Sequence, residues 1–328
     1  MVVVTGANGL LGSYVIRKLL EAGESFRGLK REGSDTSLLS DLEGRIQWDN
    51  VDIRDTEAVY DALAGASKVI HCAALVSFNP SDKRKLYEIN VVGTRNVVNG
   101  CLENGVKRLV HVSSVGAIGR QKHVRATDET GKWVPGPLNT AYGESKYLAE
   151  LEVMRGCEEG LNAVIVNPSV ILGPGLPERS SARILQYVWK GRRFYPEGRM
   201  NYISVQDAAE IIYRLLREGD KGERFIASAG TISYKEVFEK IARHLSRRSP
   251  SIRLSTRLLP VLVWADRLRS AILGTPPGLT RDLLTGILSP VSFQNDKIKK
   301  ALNFEFQSID ETIEWCCETY VRQLAGKK

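Results

Sequence analysis

Tyr142-Gly-Glu-Ser-Lys146 sets a phenol and an ammonium four residues apart in a helical pattern, the spacing that brings two side chains to one helix face. A free tyrosine has a pKa near ~10, too high for proton traffic at neutral pH. A lysine beside it favours the phenolate and draws that value down, so the pair can shuttle a proton. Ser114 ends the apolar run Arg108–Ser113 and can donate a hydrogen bond to an oxygen at the same place. A Tyr and a Lys four apart occur in many helices by chance. Ser114 and the glycine loop at the head of the chain give this pair its weight as the catalytic set Ser114, Tyr142 and Lys146.

That loop is Thr5-Gly6-Ala7-Asn8-Gly9-Leu10-Leu11-Gly12, between the strand-like Val2–Val4 and a helix patterned on Leu11, Val15 and Leu19. Glycines there permit a tight turn, let the backbone approach a pyrophosphate and let the helix pack closely, its N-terminus facing the phosphates. Gly6, Asn8, Gly9, Leu10, Leu11 and Gly12 are the positions expected to meet a dinucleotide. Further strand-like runs follow at Ser25–Leu29, Lys68–His71, Arg108–Ser113 and Asn162–Asn167, alternating with helical patterns such as Ile89, Val92, Val97 and Cys101. This rhythm predicts an α/β fold: a Rossmann-type, doubly wound parallel sheet covered on both faces. After Asn167-Pro168 comes the loop Gly173-Pro-Gly-Leu-Pro177, and the texture turns mostly helical. The expected division is therefore a cofactor domain over residues 1–168, joined by parts of 200–228, and a smaller substrate lobe over 169–328. Ser233–Glu236 and Ser308–Glu311 carry the capping-box spacing of helix starts.

The 328 residues are 43% hydrophobic and 26% charged, a globular profile with disorder expected only at Gly326-Lys327-Lys328. Five scattered cysteines without paired CxxC spacing read as reduced thiols and exclude a zinc or dithiol site, so no metal is expected. The first strand begins directly after Met1 and leaves no room for a signal peptide, which points to the cytoplasm. Leu258–Trp264 is far shorter than the ~20 residues of a membrane span and reads as a buried or surface helix rather than a membrane-contacting one. The net charge of +8 comes from basic residues that look thinly spread, which speaks against nucleic acid.

The spacing Gly-x-x-Gly-x-x-Gly resembles the extended short-chain dehydrogenase/reductase family. In the same order come Asp52-Ile53, His71-Cys-Ala-Ala74, Asn90-Val-Val-Gly-Thr94, Val112-Ser113-Ser114 and the Tyr/Lys pair. The resemblance covers nearly the whole chain and is least specific in the last third. It implies that Asp52 and Ile53 flank the adenine, and that Ala73 and Ala74 line the cofactor between phosphates and nicotinamide. It implies that Lys146 binds the nicotinamide ribose, and that Pro168 and Ser169 meet the nicotinamide. Asn90, Ser113 and Tyr142 count with the cofactor-lining positions. Ser113 is the alternative serine, though in a strand its direction is opposite to that of Ser114. His71 reads as structural. Asp207, in a segment that the family also carries, reads as a helix N-cap rather than a chemical group.

Cofactor choice is read at the end of the second strand, where a carboxylate holds the ribose hydroxyls of NAD and a cation takes the 2′-phosphate of NADP. Phe26-Arg-Gly-Leu-Lys30-Arg31 offers two cations and no acid until Glu32, and Arg31 falls where the dihydroflavonol reductase branch carries its phosphate-binding arginine. NADP(H) is therefore expected over NAD(H).

Three activities fit. The leading one is a carbonyl reductase or alcohol dehydrogenase like the dihydroflavonol reductase and 3β-hydroxysteroid dehydrogenase branches. Its substrate would be a lipophilic ketone, aldehyde or alcohol, met by Phe194, Tyr195, Val263 and Trp264. The second is a nucleotide-sugar epimerase or dehydratase holding NAD tightly; Val115-Gly116, Met200 and Asn167 stand where those enzymes carry other residues. The third is a cofactor sensor without turnover, which would have no use for both Tyr142 and Lys146. The resemblance also allows a homodimer through the helix of Tyr142 and the helix around Ile89–Cys101.

Overall fold

Apolar, β-branched runs alternate with amphipathic stretches through the first half of the chain. The structure, a computed structural model, turns them into strands and helices in order. It describes residues 1–325 except 122, 177–180, 256–258, 276 and 289–290, and of residues 260 and 267 the backbone alone. The expected disordered terminus 326–328, Pro177 and Leu258 thus lie outside the described residues. The first half runs β1 (Val2–Thr5), α1 (Leu10–Glu21), β2 (Phe26–Lys30), β3 (Trp48–Asn50), α2 (Thr56–Leu63), β4 (Lys68–His71), α3 (Lys83–Leu86), α4 (Gly93–Glu103), β5 (Arg108–Val112), β6 (Ala126–Thr127), α5 (Ala141–Glu158) and β7 (Ala163–Pro168). There follow β8 (Val170–Leu172), α6 (Ala182–Trp189), β9 (Phe194–Pro196), β10 (Arg199–Ser204), α7 (Val205–Leu215), β11 (Arg224–Ala227), β12 (Gly230–Ser233) and α8 (Tyr234–His244). The chain closes with β13 (Ile252–Leu254), α9 (Leu259–Leu273), α10 (Arg281–Ile287), β14 (Ser292–Phe293), α11 (Asp296–Leu302) and α12 (Ile309–Ala325).

Seven strands form one parallel sheet in the order β11-β7-β5-β4-β1-β2-β3. The order reverses between β1 and β4, and a crevice opens beyond the carboxyl ends of strands at such a point. Alternation along a strand supplies both faces: Val2 and Val4 enter the core with α1 and α7, while Val3 enters the one under α2, α4 and α5. Burying both faces is why these strands read as unbroken apolar runs. β11, from beyond residue 200, is the sheet's outer strand on the β7 side.

The rest of the chain builds a three-stranded sheet, β12-β10-β8, and two short parallel pairs, β13 with β9 and β14 with β6. Both expected capping boxes form, Ser233 with Glu236 and Ser308 with Glu311. Two local expectations are corrected. Ahead of α4 the chain makes a π turn over Tyr87–Val92, and Thr94 Oγ1 donates to the Asn90 carbonyl there, so the helical run around Ile89–Cys101 is not one regular helix. The cap of α7 is Ser204, whose hydroxyl accepts from Gln206 N, and not Asp207. Asp207 is buried in the first turn, accepts from Gln307 N at 2.9 Å, and burial pushes its carboxyl up to about 6.

Candidate active site

The glycine loop is closed by contacts that tolerate no side chain. Gly6 has φ +64°, and a Cβ there would lie 2.7 Å from the backbone of Ala73; a Cβ on Gly12 would lie 2.2 Å from the Gly6 carbonyl oxygen. The loop thus packs on the segment after β4, at the sheet's switch point. Gly9 caps α1 without a side chain, and the first turn holds no acid, so its backbone N–H groups are left for an anion. Asn8 Nδ2 donates to the Asp35 carbonyl at 3.0 Å and ties the loop to the chain beyond β2. Leu10 is half-buried and Leu11 buried.

Beneath this loop lies a line of buried polar groups. Thr5 Oγ1 meets His71 Nδ1 at 2.7 Å and accepts from Ala73 N at 3.2 Å, while His71 Nε2 meets Thr94 Oγ1 at 3.0 Å. Burial first, then the Lys146 ammonium, pushes His71 down to about 3, so it stays neutral and structural. Asn90 is also occupied: it accepts from Leu75 N at 2.7 Å and donates to the Leu75 carbonyl and to Ser145 Oγ. Its amide shapes the Ala73–Ala74 segment, where Ala73 is half-buried and Ala74 exposed.

At the far side of the crevice, Lys30 Nζ donates to Asn50 Oδ1 at 2.8 Å and Arg31 is exposed. Asp52 pairs with Arg54, Nη2 to Oδ2 at 2.6 Å, and Arg54 together with the more distant Arg31 holds its carboxyl below the usual range. Arg54 is a third cation here that the sequence reading passed over. Ile53 is buried against Gly93, where a Cβ would stand 2.5 Å from Ile53 Cδ1.

α5 starts at Thr140, whose hydroxyl accepts from Gly143 N, and so fixes where Tyr142 emerges. Ser114 follows β5 and caps the turn Val115–Ile118, its Oγ accepting from Gly116 N at 3.1 Å. That turn packs on α5 closely enough that a Cβ on Gly143 would lie 2.8 Å from the Gly116 carbonyl oxygen. The structure therefore brings Ser114 and Tyr142 together, near enough for the Ser114 hydroxyl to act on the Tyr142 phenol. The Phe78 ring stands edge-on to Tyr142 at 6.0 Å.

Burial pushes Tyr142 up to about 12, and the Ser114 hydroxyl opposes this. This departs from the expected depression by Lys146. Lys146 is buried on the same helix face, but its Nζ donates to the Val112 carbonyl at 2.7 Å. Burial draws Lys146 down to about 8, against the pull of Glu150 and Cys72. The lysine thus acts first on the floor of the site, and the tyrosine stays protonated.

Glu150, one further turn along the face, was not singled out from the sequence, although it repeats the four-residue step. Its Oε1 accepts from Ser113 Oγ and from Asn167 Nδ2, and its Oε2 lies 3.5 Å from Arg224 Nε. Burial raises this carboxyl's pKa, while Arg224, Ser113, Asn167 and Lys146 lower it. Ser113 is thereby turned away from Ser114. Pro168 ends β7; Ser169 follows with its backbone N–H bonded to the Ala227 carbonyl, and its buried hydroxyl has no hydrogen-bond partner among the described residues.

An unpartnered hydroxyl at the sheet's carboxyl edge, a cradle that a Cβ would fill, and an uncapped helix N-terminus fit a bound nicotinamide dinucleotide. The lipophilic contacts expected of Phe194 and Trp264 are not part of this arrangement, since both rings are exposed on the outer surface; Tyr195 and Val263 are half-buried. Among the described residues there is no cluster of metal-ligating side chains, and no helix is long and apolar enough to cross a membrane.

Residues 2–227 match the model of the NAD dependent epimerase/dehydratase family. The chain is 30% identical over 260 residues to sterol demethylase protein B of Methylococcus capsulatus, covering 78% of each. It is 28% identical over 316 residues to a putative dihydroflavonol 4-reductase of Synechocystis, covering 94% of this chain and 91% of that one. The crystal structure of gox2253 superposes with a TM-score of 0.83 at 30% identity, covering 99% of this chain and 98% of the other. The glycine crevice and the Ser/Tyr/Lys arrangement thus sit on a matching fold and a matching sequence: the chain belongs to the NAD-dependent epimerase/dehydratase family, in its extended short-chain dehydrogenase/reductase branch, and is an NAD(P)-dependent oxidoreductase.

Proposed function

We propose that this enzyme interconverts a carbonyl group and the matching alcohol on a lipophilic small molecule, with NADP(H) as its hydride partner. The meeting of Ser114 and Tyr142 above buried Lys146, beside the glycine crevice, carries the reading. Bound there, the nicotinamide supplies or takes up hydride. In the direction of reduction, carbon gains that hydride and its oxygen gains the proton of Tyr142, which burial keeps in place until it is needed. Ser114 donates a hydrogen bond to the same oxygen as charge develops on it. Lys146 holds the nicotinamide ribose and places positive charge beneath the site. Ala73, Ala74 and Ser169 line the cofactor, and Asp52 and Ile53 bound its adenine end.

Lys30, Arg31 and Arg54 support NADP(H), because Asp52 is already neutralised by Arg54 and no other carboxylate precedes Glu32 at the end of β2. The name of the Synechocystis relative supports carbonyl reduction, and that of the Methylococcus relative supports a lipophilic substrate. Against sugar-nucleotide chemistry, Met200 is buried in the apolar core of the second lobe, and Arg199 is exposed with its guanidinium bonded to the Thr231 carbonyl. Five free cysteines support a reducing compartment, the cytoplasm. We place the domain division at residue 168, with 200–228 returning to the cofactor domain. Exposed Tyr87 and Leu151 suit a homodimer through the two helical segments that flank the site.

Titration of NADPH and NADH, with turnover on a panel of ketones and aldehydes, tests the reading. NADPH should bind more tightly, and Arg31→Ala should weaken it by roughly tenfold while sparing NADH. Equal affinities would remove the NADP assignment. Conversion of UDP- or TDP-hexoses at enzyme-like rates would replace carbonyl reduction by the epimerase reading.

A further inference from the structure

The chain's positive charge is not spread evenly, contrary to the first impression from its sequence. Residues 243–281 contain eight arginines and a single acid, Asp266, which leaves a surplus of seven out of the net +8. The remainder of the chain is nearly neutral. Within this arginine-rich stretch α9 presents an apolar stripe to the outside. Two of its polar groups fold back on the following loop, Asp266 Oδ2 accepting from Leu279 N at 2.8 Å and Ser270 Oγ donating to the Thr275 carbonyl, while Arg269 is exposed and pairs with Asp266. Leu259 is buried and Leu262 and Val263 half-buried, but four of the helix's apolar residues face outward. Val261, Trp264, Leu268 and Ile272 follow steps of three and four, one stripe of the helix, and are 61%, 66%, 48% and 74% exposed. A helix that faces water shows the reverse pattern, and an apolar stripe of this length marks an interaction surface.

The charge decides between occupants. Two-fold pairing with a second copy would bring the same arginine-rich stretch against itself. A nucleic acid would use the arginines but leave four aliphatic and aromatic side chains in water. An anionic lipid surface satisfies both halves, taking the stripe into the boundary between headgroups and acyl chains and the arginines against headgroup phosphates. We propose that α9 and its arginine-rich flanks dock this enzyme on an anionic lipid surface, with Trp264 and Ile272 inserted and the helix lying in the interface. The docked helix is close to the chemistry. α10 follows it directly, with Thr280 bonded to the Phe78 carbonyl at 2.6 Å and Asp282 to Ala141 N at 3.0 Å, next to Tyr142. The proposal concerns a surface and does not depend on the reading of the hydride chemistry.

Flotation of the full chain with vesicles tests it. The protein should float with phosphatidylcholine vesicles containing about a third phosphatidylglycerol, at least tenfold more weakly with phosphatidylcholine alone, and should be released by high salt. Trp264→Ser with Ile272→Ser should weaken flotation by tenfold or more. Both side chains are exposed, so melting temperature and NADPH binding should not move. Arg243→Gln with Arg248→Gln, a second variant at exposed positions away from α9, should weaken it by roughly thirtyfold. The proposal is overturned if the wild type does not float with anionic vesicles, or if both double variants float as it does. It is equally overturned if sedimentation shows a dimer that the α9 variant breaks, or if the same residues instead hold duplex DNA.

Discussion

Asn167 donates through one nitrogen to Glu150 Oε1 at 2.6 Å and to the Ser114 carbonyl at 2.9 Å, so a buried carboxyl group on α5 and the backbone of Ser114 share a single amide. Glu150 also takes Ser113 Oγ and faces Arg224. Removing it leaves the buried Ser113 hydroxyl without its acceptor, the half-buried Arg224 without its carboxylate, and Asn167 with the Ser114 carbonyl alone. Glu150→Ala should therefore lower the unfolding free energy by ~3–5 kcal/mol and blunt turnover through loss of Ser114 placement. Glu150→Gln, which keeps the shape and one acceptor, should lose less. Thermal melts beside kcat report this, and wild-type melting in the alanine variant would show that the cluster is not holding the strands to α5.

Tyr142→Phe removes one hydroxyl and leaves the ring against Phe78. Folding and NADPH binding should survive while turnover drops by ~100-fold or more, the loss expected when a general acid is deleted. Ser114→Ala should lower turnover with little change in cofactor affinity. Near-normal turnover in the phenylalanine variant would mean that the proton comes from another group.

The pH dependence has a definite sign. Lys146, drawn down to about 8, loses its ammonium as pH rises through that value. Four groups around it do not titrate there: Tyr142 and Cys72 are pushed up to about 12, His71 is held near 3 and His111 well below its usual value, while burial raises Glu150 above the ordinary carboxyl value. The kcat/KM should fall above pH about 8 along one basic limb, which Lys146→Arg should flatten. Stability should move the other way. Between about 8 and the ordinary 10.5 the unfolded chain binds the extra proton, so this group's contribution to stability rises with pH there. A profile flat to pH 10 would separate Lys146 from the rate-determining protonation.

Gly12→Ala would press a methyl to within 2.2 Å of the Gly6 carbonyl oxygen and push apart the turn that we propose faces the pyrophosphate. NADPH affinity should drop by ~100-fold or more, the measure of a lost close approach plus displaced donors. Gly23→Ala, at a positive φ with open space around it, serves as the control: it should cost about 1 kcal/mol of stability and leave binding alone.

Local sequence determined a good deal here. Apolar runs at Val2–Thr5 and Ala163–Pro168, helix periodicity at Leu11, Val15 and Leu19, and glycines at fixed steps depend on neighbours a few residues away, so the parallel sheet and the tight glycine turn between β1 and α1 could be read directly. The four-residue step from Tyr142 to Lys146 likewise survives as one helix face. Tertiary structure decided what depends on partners distant in the chain. Whether Lys146 acts on Tyr142 or on Val112 is a matter of where β5 passes under α5. Glu150 becomes part of the site only because Ser113 and Asn167 come from two strands that flank each other. Asp207 binds Gln307, a hundred residues away, instead of capping its own helix. For α9 an apolar run and the charges around it are legible in the sequence, but which face meets water is set by where Asp266 and Ser270 find their bonds, and only the folded chain places those.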